Sequence, residues 1–225
     1  MKVREAVERR FSARAFLEKP VSRAQIERIL DRARLAPSGG NLQPWFVHVV
    51  AGSELQRLIA RVGERAVQNP RGEPREYDVY PSELQEPYRS RRYQCGEALY
   101  EALGIPREDK PARLRQFAKN LQAFGAPMAL FFSIDRRMDR NQWAHLGMFM
   151  QTLMLLAVEE GLDTCPQEAW SAFNRTIADF LGLPQEHMLY CGMSVGYADP
   201  DHPVNRWRTE RAPVGDFTRF LVDEE

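Results

Sequence analysis

Cysteine is scarce in this 225-residue chain: only Cys95, Cys165 and Cys191 occur, far apart and without a C-x-x-C pair. That spacing argues against a disulfide framework and a cysteine-based zinc site, and reads as free thiols in a reducing compartment. Net charge is missing too. Thirty-one basic residues balance 31 acidic ones, so the total suggests neither a nucleic-acid partner nor an anionic membrane surface. Lysine is limited to Lys2, Lys19, Lys110 and Lys119, and arginine carries the positive charge. Apolar runs are short, the longest near 153–158, well under the ~20 residues of a membrane-spanning helix. The opening Met1-Lys2-Val3-Arg4-Glu5 lacks the apolar core of a signal peptide, so a soluble cytoplasmic protein is expected. Neither G-x-x-x-x-G-K-S/T nor G-x-G-x-x-G occurs, which removes a P-loop and a Rossmann dinucleotide site. His48, His145, His187 and His202 show no metal-ligand spacing, and His48, inside an apolar strand, reads as a satisfied structural histidine.

What is present is an alternation of helical and strand patterns without a regular βαβ rhythm, which predicts an α+β domain. Ser22 followed by Gln25 forms a capping-box pattern, and Ile26, Ile29, Leu30 and Ala33 recur behind it at helical spacing. Pro37 and Gly39-Gly40 stop that helix near Ala36. Residues 45–51, 128–134 and 188–197 are rich in β-branched and aromatic residues and read as strands, the first two buried on both faces. Residues 142–160 predict the longest helix, apolar over more than half its circumference and closed by Gly161; that breadth suggests burial on several sides and a subunit contact. Shorter helices are expected over 3–10, 116–124 and 171–181. Residues 68–110, rich in proline, arginine, glutamate and tyrosine, read as an insertion or lid, and 164–168 as a polar connector.

Three clusters carry chemistry. Arg10, Ser12 and Arg14 alternate in a segment leaving a helix, so their side chains can converge on one side. Two guanidinium groups and a hydroxyl suit a phosphate monoester, although arginines on a solvated turn have the same local signature. The stretch Pro37-Ser38-Gly39-Gly40-Asn41-x-Gln43-Pro44-Trp45 holds more polar chemistry than a plain connection needs. Asn41 and Gln43 each offer a donor and an acceptor, for polyol hydroxyls or the edge of a heterocycle. A second cationic group, Arg206, Arg208 and Arg211, follows Asp199-Pro200. Cys165 has no activating base in view and reads as an inert thiol.

Arg10-x-Ser12-x-Arg14, the loop from Ala36 to Trp45, Pro166-Gln167-Glu168 and Arg211-x-Pro213, in that order, resemble the nitroreductase family along nearly the whole chain. The resemblance implies a single FMN-binding α+β domain over 1–225 with a variable lid at about 68–115. It implies a central, mostly antiparallel sheet flanked by helices, in an intertwined homodimer with two FMN sites at the interface. Carried over by position, Arg10, Ser12 and Arg211 hold the phosphate, and Arg14 reaches the pyrimidine side of the flavin. Pro37, Ser38 and Gly39 come from the partner chain, Asn41 and Gln43 lie near ribityl and ring, and the Pro166-Gln167-Glu168 segment offers a backbone N–H to flavin N5. The implied reaction is ping-pong: NADH or NADPH delivers hydride, then a nitroaromatic or quinone accepts it. Arg89, Arg91 or Arg92 in the lid would pair with a carboxylate on an acceptor such as a nitrobenzoate. Reductive dehalogenation, oxygen-dependent flavin chemistry and a flavin- or anion-binding protein without turnover are the competing readings. Phe11 stands where many members carry a polar or basic residue, which would remove one phosphate or ring contact.

Overall fold

A computed structural model describes residues 1–222. Helix α1 (Val3–Arg9) leads into an extended segment and then α2 (Arg23–Ala33), where Ser22 and Gln25 form the reciprocal cap their spacing predicts. Strand β1 (Phe46–Ala51) runs straight into α3 (Gly52–Gln68), which buries Leu55, Leu58 and Val62 along one stripe. Helices α4 (Tyr88–Ala102) and α5 (Lys110–Ala118) occupy the region read as a lid, and Arg113 ties them by a paired hydrogen bond to Glu97, at 2.6 and 3.1 Å. The predicted helix over 116–124 is instead the end of α5 followed by a 3-10 turn, because Ala123 and Phe124 take left-handed backbone angles. Then come β2 (Met128–Asp135), α6 (Arg140–Glu159), β3 (Asp163–Gln167), a 3-10 turn (Glu168–Phe173), α7 (Asn174–Leu181), β4 (His187–Gly196) and α8 (Pro203–Arg206).

The four strands form one antiparallel sheet in the order β1-β2-β4-β3. Its centre, β2, is buried along nearly its whole length, as a strand covered on both faces must be. On one face α2 and α6 pack over Leu130, Phe132, Met193 and Val195; on the other α3 and α7 pack over Ala129, Phe131 and Leu189. Each fully buried Phe in β2 stabilises the fold by about 1.5–3 kcal/mol. Gly192 is required on the second face: a Cβ there would stand 2.5 Å from Cδ1 of the fully buried Trp170. Strand β3 replaces the connector read at 164–168. It sits at the sheet edge, where Pro166 is tolerated, since an edge strand leaves one row of N–H groups outside the ladder. Among the described residues no helix is long and apolar enough to cross a membrane.

Candidate functional site

The extended segment after α1 lies along the free edge of β3. Ser12 bridges Thr164 in parallel, and the Ala13 N–H donates to the Thr164 carbonyl at 3.0 Å. This pairing holds Arg10, Ser12 and Arg14 against the sheet instead of leaving them on a solvated turn. Asn205, buried in α8, pins the segment: its Oδ1 accepts the Arg14 N–H at 2.9 Å, and its Nδ2 donates to the carbonyls of Ala15 and Asp199 at 2.7 and 2.8 Å. The Arg14 guanidinium donates to the Ser12 carbonyl at 3.2 Å. The far end of the chain brings in Arg211, whose charge lies close enough to Arg10 to act on it. Burial first, and Arg211 second, pull the Arg10 guanidinium below its ordinary pKa. Among the described residues no carboxylate forms an ion pair with Arg10, Arg14 or Arg211. Neither guanidinium has an ion-pair partner among the described residues, so an anion brought there would meet two cations.

Phe11 has a partner of its own. The Arg208 guanidinium stacks 3.9 Å from its ring centroid, and Arg208 also donates to the Asn205 and Trp207 carbonyls at 2.6 and 2.9 Å. The aromatic residue thus anchors one of the cations from the C-terminal stretch through a cation–π contact.

Alternation along β3 sorts the next residues. Thr164 and Pro166 pair with Val195 and Met193 and face α6, whereas Cys165 and Gln167 face the opposite layer. The Thr164 hydroxyl is buried with no hydrogen-bond partner, beside the Ser12 bridge. The Gln167 side chain is turned inward: it donates to the Asn120 carbonyl at 2.6 Å and accepts from Ser194 Oγ at 2.5 Å. Only the backbone of Gln167 is left for a ligand. Cys165 is sealed, and burial pushes its thiol up to about 11. Between β3 and α6 opens a cavity of about 360 Å³, bounded by Pro166 and Glu168 on one side, Met150 and Met154 on another, and Tyr190.

The loop at 37–45 is braced from within. Ser38 Oγ accepts the Gln43 N–H at 3.0 Å, and Gln43 Nε2 donates to the Asn41 carbonyl at 3.1 Å. Its Gly39 N–H donates to His145 Nδ1 on α6 at 3.4 Å. Gly40, Asn41 and Gln43 all have positive φ, at 59°, 54° and 50°. Holding two non-glycine residues there costs about 1–3 kcal/mol each, a strain concentrated where binding loops keep it. No hydrogen bond or ion pair among the described residues joins this loop to Arg10, Ser12 or Arg14, and Pro37, Gly39, Asn41 and Gln43 are exposed.

In the lid the three arginines differ. Arg89 is paired with Glu86 at 2.8 Å, and Arg91 stands 3.9 Å from Asp216. Arg92 makes no ion pair among the described residues; it stands over the face of Tyr80, 4.1 Å from the ring centroid, and with Arg89, Tyr93, Tyr100 and the acids Glu83 and Glu97 it lines an open cavity of about 670 Å³. His48 departs from its reading as a satisfied histidine: its Nδ1 is buried without a partner, and burial followed by the nearby His187 holds its pKa down. Neither Asn205 nor Thr164 announces itself in the sequence, because each acts on a segment distant in the chain.

Residues 7–197 match the family model described as nitroreductase family. A 4-nitrobenzoate reductase from Pseudomonas putida is 42% identical over 212 residues, covering 94% of this chain and 92% of that protein. The crystal structure of an FMN and NADPH-dependent nitroreductase, NfnB from sphigopyxis sp. strain HMH, superimposes with a TM-score of 0.96 at 44% identity, covering 99% of this chain and 100% of the other. The FMN-dependent nitroreductase NfnB from Mycobacterium smegmatis, solved in complex with NADPH, gives a TM-score of 0.91 at 30% identity over 98% of this chain and 100% of its own.

Proposed function

The chain belongs to the nitroreductase family, and on that footing we propose that it is an FMN-dependent oxidoreductase that passes electrons from NAD(P)H to nitroaromatic acceptors. The observation that carries the reading is the half-buried Arg10, on the segment that lies along the edge of β3, with the exposed Arg211 close enough to act on its charge and no carboxylate paired with either among the described residues. Such a pair fits the phosphate of FMN, with Ser12 and the orphan Thr164 hydroxyl as neutral donors beside it. Arg14, held by Asn205 and Ser12, would reach the pyrimidine side, where a fixed cation would stabilise the charge that builds up on reduction. The backbone at Pro166, Gln167 and Glu168 would hold the ring.

The loop residues Pro37, Ser38, Gly39, Asn41 and Gln43, all exposed but the half-buried Ser38, serve the cofactor of a second copy of the chain, which accounts for the lack of bonds between loop and arginines within one chain. The whole of 1–225 acts as one unit with a lid at about 68–115. Exposed apolar residues on α1 (Val3, Val7), on α6 (Met148) and beyond α8 (Phe217, Phe220) supply the surface that such a homodimer covers. Light scattering is expected to give twice the chain mass, and a monomer with full activity would refute the shared site.

When bound, FMN supplies a two-electron carrier that takes hydride from NAD(P)H and yields it to the acceptor. The protein binds, orients and excludes water around it. Anaerobic NADPH or NADH is expected to bleach the flavin of the purified protein, and a nitroaromatic to restore its colour. A protein that carries no FMN would overturn the assignment.

Acceptor choice lies with the lid. Arg92, which alone of the three makes no ion pair among the described residues, would pair with a carboxylate on the acceptor ring, as in a nitrobenzoate; Arg89 and Arg91 contribute less because each is already beside an acid. Arg92→Ala is expected to raise KM for 4-nitrobenzoate about 10-fold, the value of one charge-assisted contact, with little change for nitrobenzene. Equal changes for both acceptors would remove Arg92 from carboxylate recognition.

A further inference from the structure

The loop at 37–45 is strained and largely exposed, so its shape needs a hold from outside. Ser38 and Gln43 brace it from within, yet Asn41 and Gln43 keep left-handed backbone angles, which persist only where the surroundings over-determine them. Helix α6 supplies that hold at both ends of the loop. At the far end the Trp45 ring stacks on Phe149, with centroids 4.7 Å apart and planes 11° from parallel. At the near end the Gly39 N–H donates to His145 Nδ1 at 3.4 Å. His145 and Phe149 stand one turn apart on the same face of the helix.

The Gly39 bond is the one hydrogen bond among the described residues that ties 37–43 to another part of the chain. Gly39 opens the 3-10 turn Gly39–Asn41, so its N–H has no acceptor within the turn. Ser38, at the capping position, does not cap it, because its hydroxyl takes the Gln43 N–H. The imidazole stands in for the missing cap. Its fit is close: a Cβ on residue 39 would lie 3.0 Å from His145 Cε1. Gly39 has no positive φ, so the ring and not the backbone demands glycine here.

His145 Nδ1 has a second neighbour, Gln142 Oε1 at 3.2 Å on its own helix. One nitrogen cannot serve both in the same way: its lone pair accepts from Gly39, whereas a proton on it would donate to Gln142. Gln142 can turn its amide over and offer its NH2 group to the ring, but the Gly39 N–H has no other acceptor among the described residues. The tautomer that carries its proton on Nε2 therefore satisfies both neighbours.

We propose that His145 is a positioning residue of the cofactor site: its Nδ1 lone pair fixes residues 37–43 in the shape that presents Ser38, Asn41 and Gln43 to the cofactor. It acts through the loop. This rests on the reading of the loop as cofactor-binding given above.

The test follows FMN affinity and release by flavin fluorescence in the purified full chain. His145→Ala is expected to weaken FMN binding about 3- to 10-fold, the worth of one neutral hydrogen bond, through faster release. His145→Asn, whose Oδ1 falls close to the place of Nδ1, is expected to recover most of the loss. Gly39→Ala alone weakens binding by pushing the loop off the ring, and it adds little to His145→Ala, because the atom it would have met is gone. If the ring only packs against the loop, Asn fares no better than Ala; if the two positions are independent, their effects add. Either result overturns the proposal. Independently of any variant, NMR of the protein with isotopically labelled histidine is expected to place the proton of neutral His145 on Nε2, and a proton on Nδ1 overturns it as well. A wild-type protein that takes up no FMN sinks the reading of the loop, whereas FMN binding that is intact and indifferent to both substitutions sinks only the role of His145.

Discussion

Replacing Arg10 with alanine is expected to weaken FMN binding by about 10- to 100-fold while leaving the protein without cofactor at least as stable as before. A hydrogen bond to a charged group is worth about 1.5–3 kcal/mol, and the anion site loses one of its two neighbouring guanidinium groups. The second half of the expectation separates a binding role from a scaffolding one. Arg10 makes no ion pair among the described residues, is partly buried, and lies close to Arg211. In the absence of an anion it contributes repulsion and a desolvation cost, and its removal relieves both. Titration by flavin fluorescence measures the affinity, and melting with and without FMN measures the coupling, because a ligand stabilises only to the extent that it binds the folded form. The FMN-dependent rise in Tm should shrink in Arg10→Ala and in Arg211→Ala. Arg10→Lys should recover part of the affinity, since lysine keeps the charge but not the paired donors. A large fall in the melting temperature without cofactor, with affinity intact, would make Arg10 a structural residue.

The second large effect is on stability and sits outside the site. Glu73 is 5% exposed and binds the start of α7 with both oxygens. Oε2 accepts the N–H groups of Arg175 and Thr176 at 2.8 and 3.2 Å, while Oε1 accepts the Thr176 hydroxyl at 2.6 Å and Arg65 Nε at 3.2 Å. A carboxylate at a helix N-terminus also meets the positive end of the helix dipole. Glu73→Ala removes a buried anion from four donors and is expected to cost about 3–5 kcal/mol, or roughly 6–20 °C in Tm for a chain of this size. Because α7 follows the turn that carries Glu168, the variant should also loosen the cofactor cavity.

The pH dependence has a definite sign. Burial pushes the Glu73 carboxyl up, but its hydrogen bonds with Thr176, Arg65 and Arg175 outweigh burial and set it below the ordinary value of about 4.5. Its stabilisation is therefore complete above the unfolded value and is lost as pH falls through the lower, folded one. Wild type should lose stability across that window, and Glu73→Gln, already destabilised, should lose less. Denaturant melts at several acidic pH values decide it; parallel curves would exclude Glu73 as the titrating group.

The elements that could be read in advance are those with local causes. The Ser22–Gln25 cap, the apolar breadth of α6 and the runs of β1, β2 and β4 are each set by residues within a few positions of one another. Strand β3 was hidden because Asp163-Thr164-Cys165-Pro166-Gln167 contains a proline and little β-branched character; pairing with β4 makes it a strand. The lid helices were hidden for another reason. In α4 no residue is buried, so no apolar stripe marks it.

For the site, the sequence alone determined which residue types are present and the order of motifs that marks the family, since turn chemistry, caps and the supply of guanidinium groups are local properties. Only the tertiary structure decided who meets whom. It brought Arg211 to Arg10 across 201 positions of chain, gave Phe11 to Arg208, turned the Gln167 side chain into the core, and pinned the arginine strip with Asn205. Those pairings follow from the sheet register and from which face of β3 each residue occupies. A shift of one residue exchanges the faces, and that choice is made by the packing of the whole sheet.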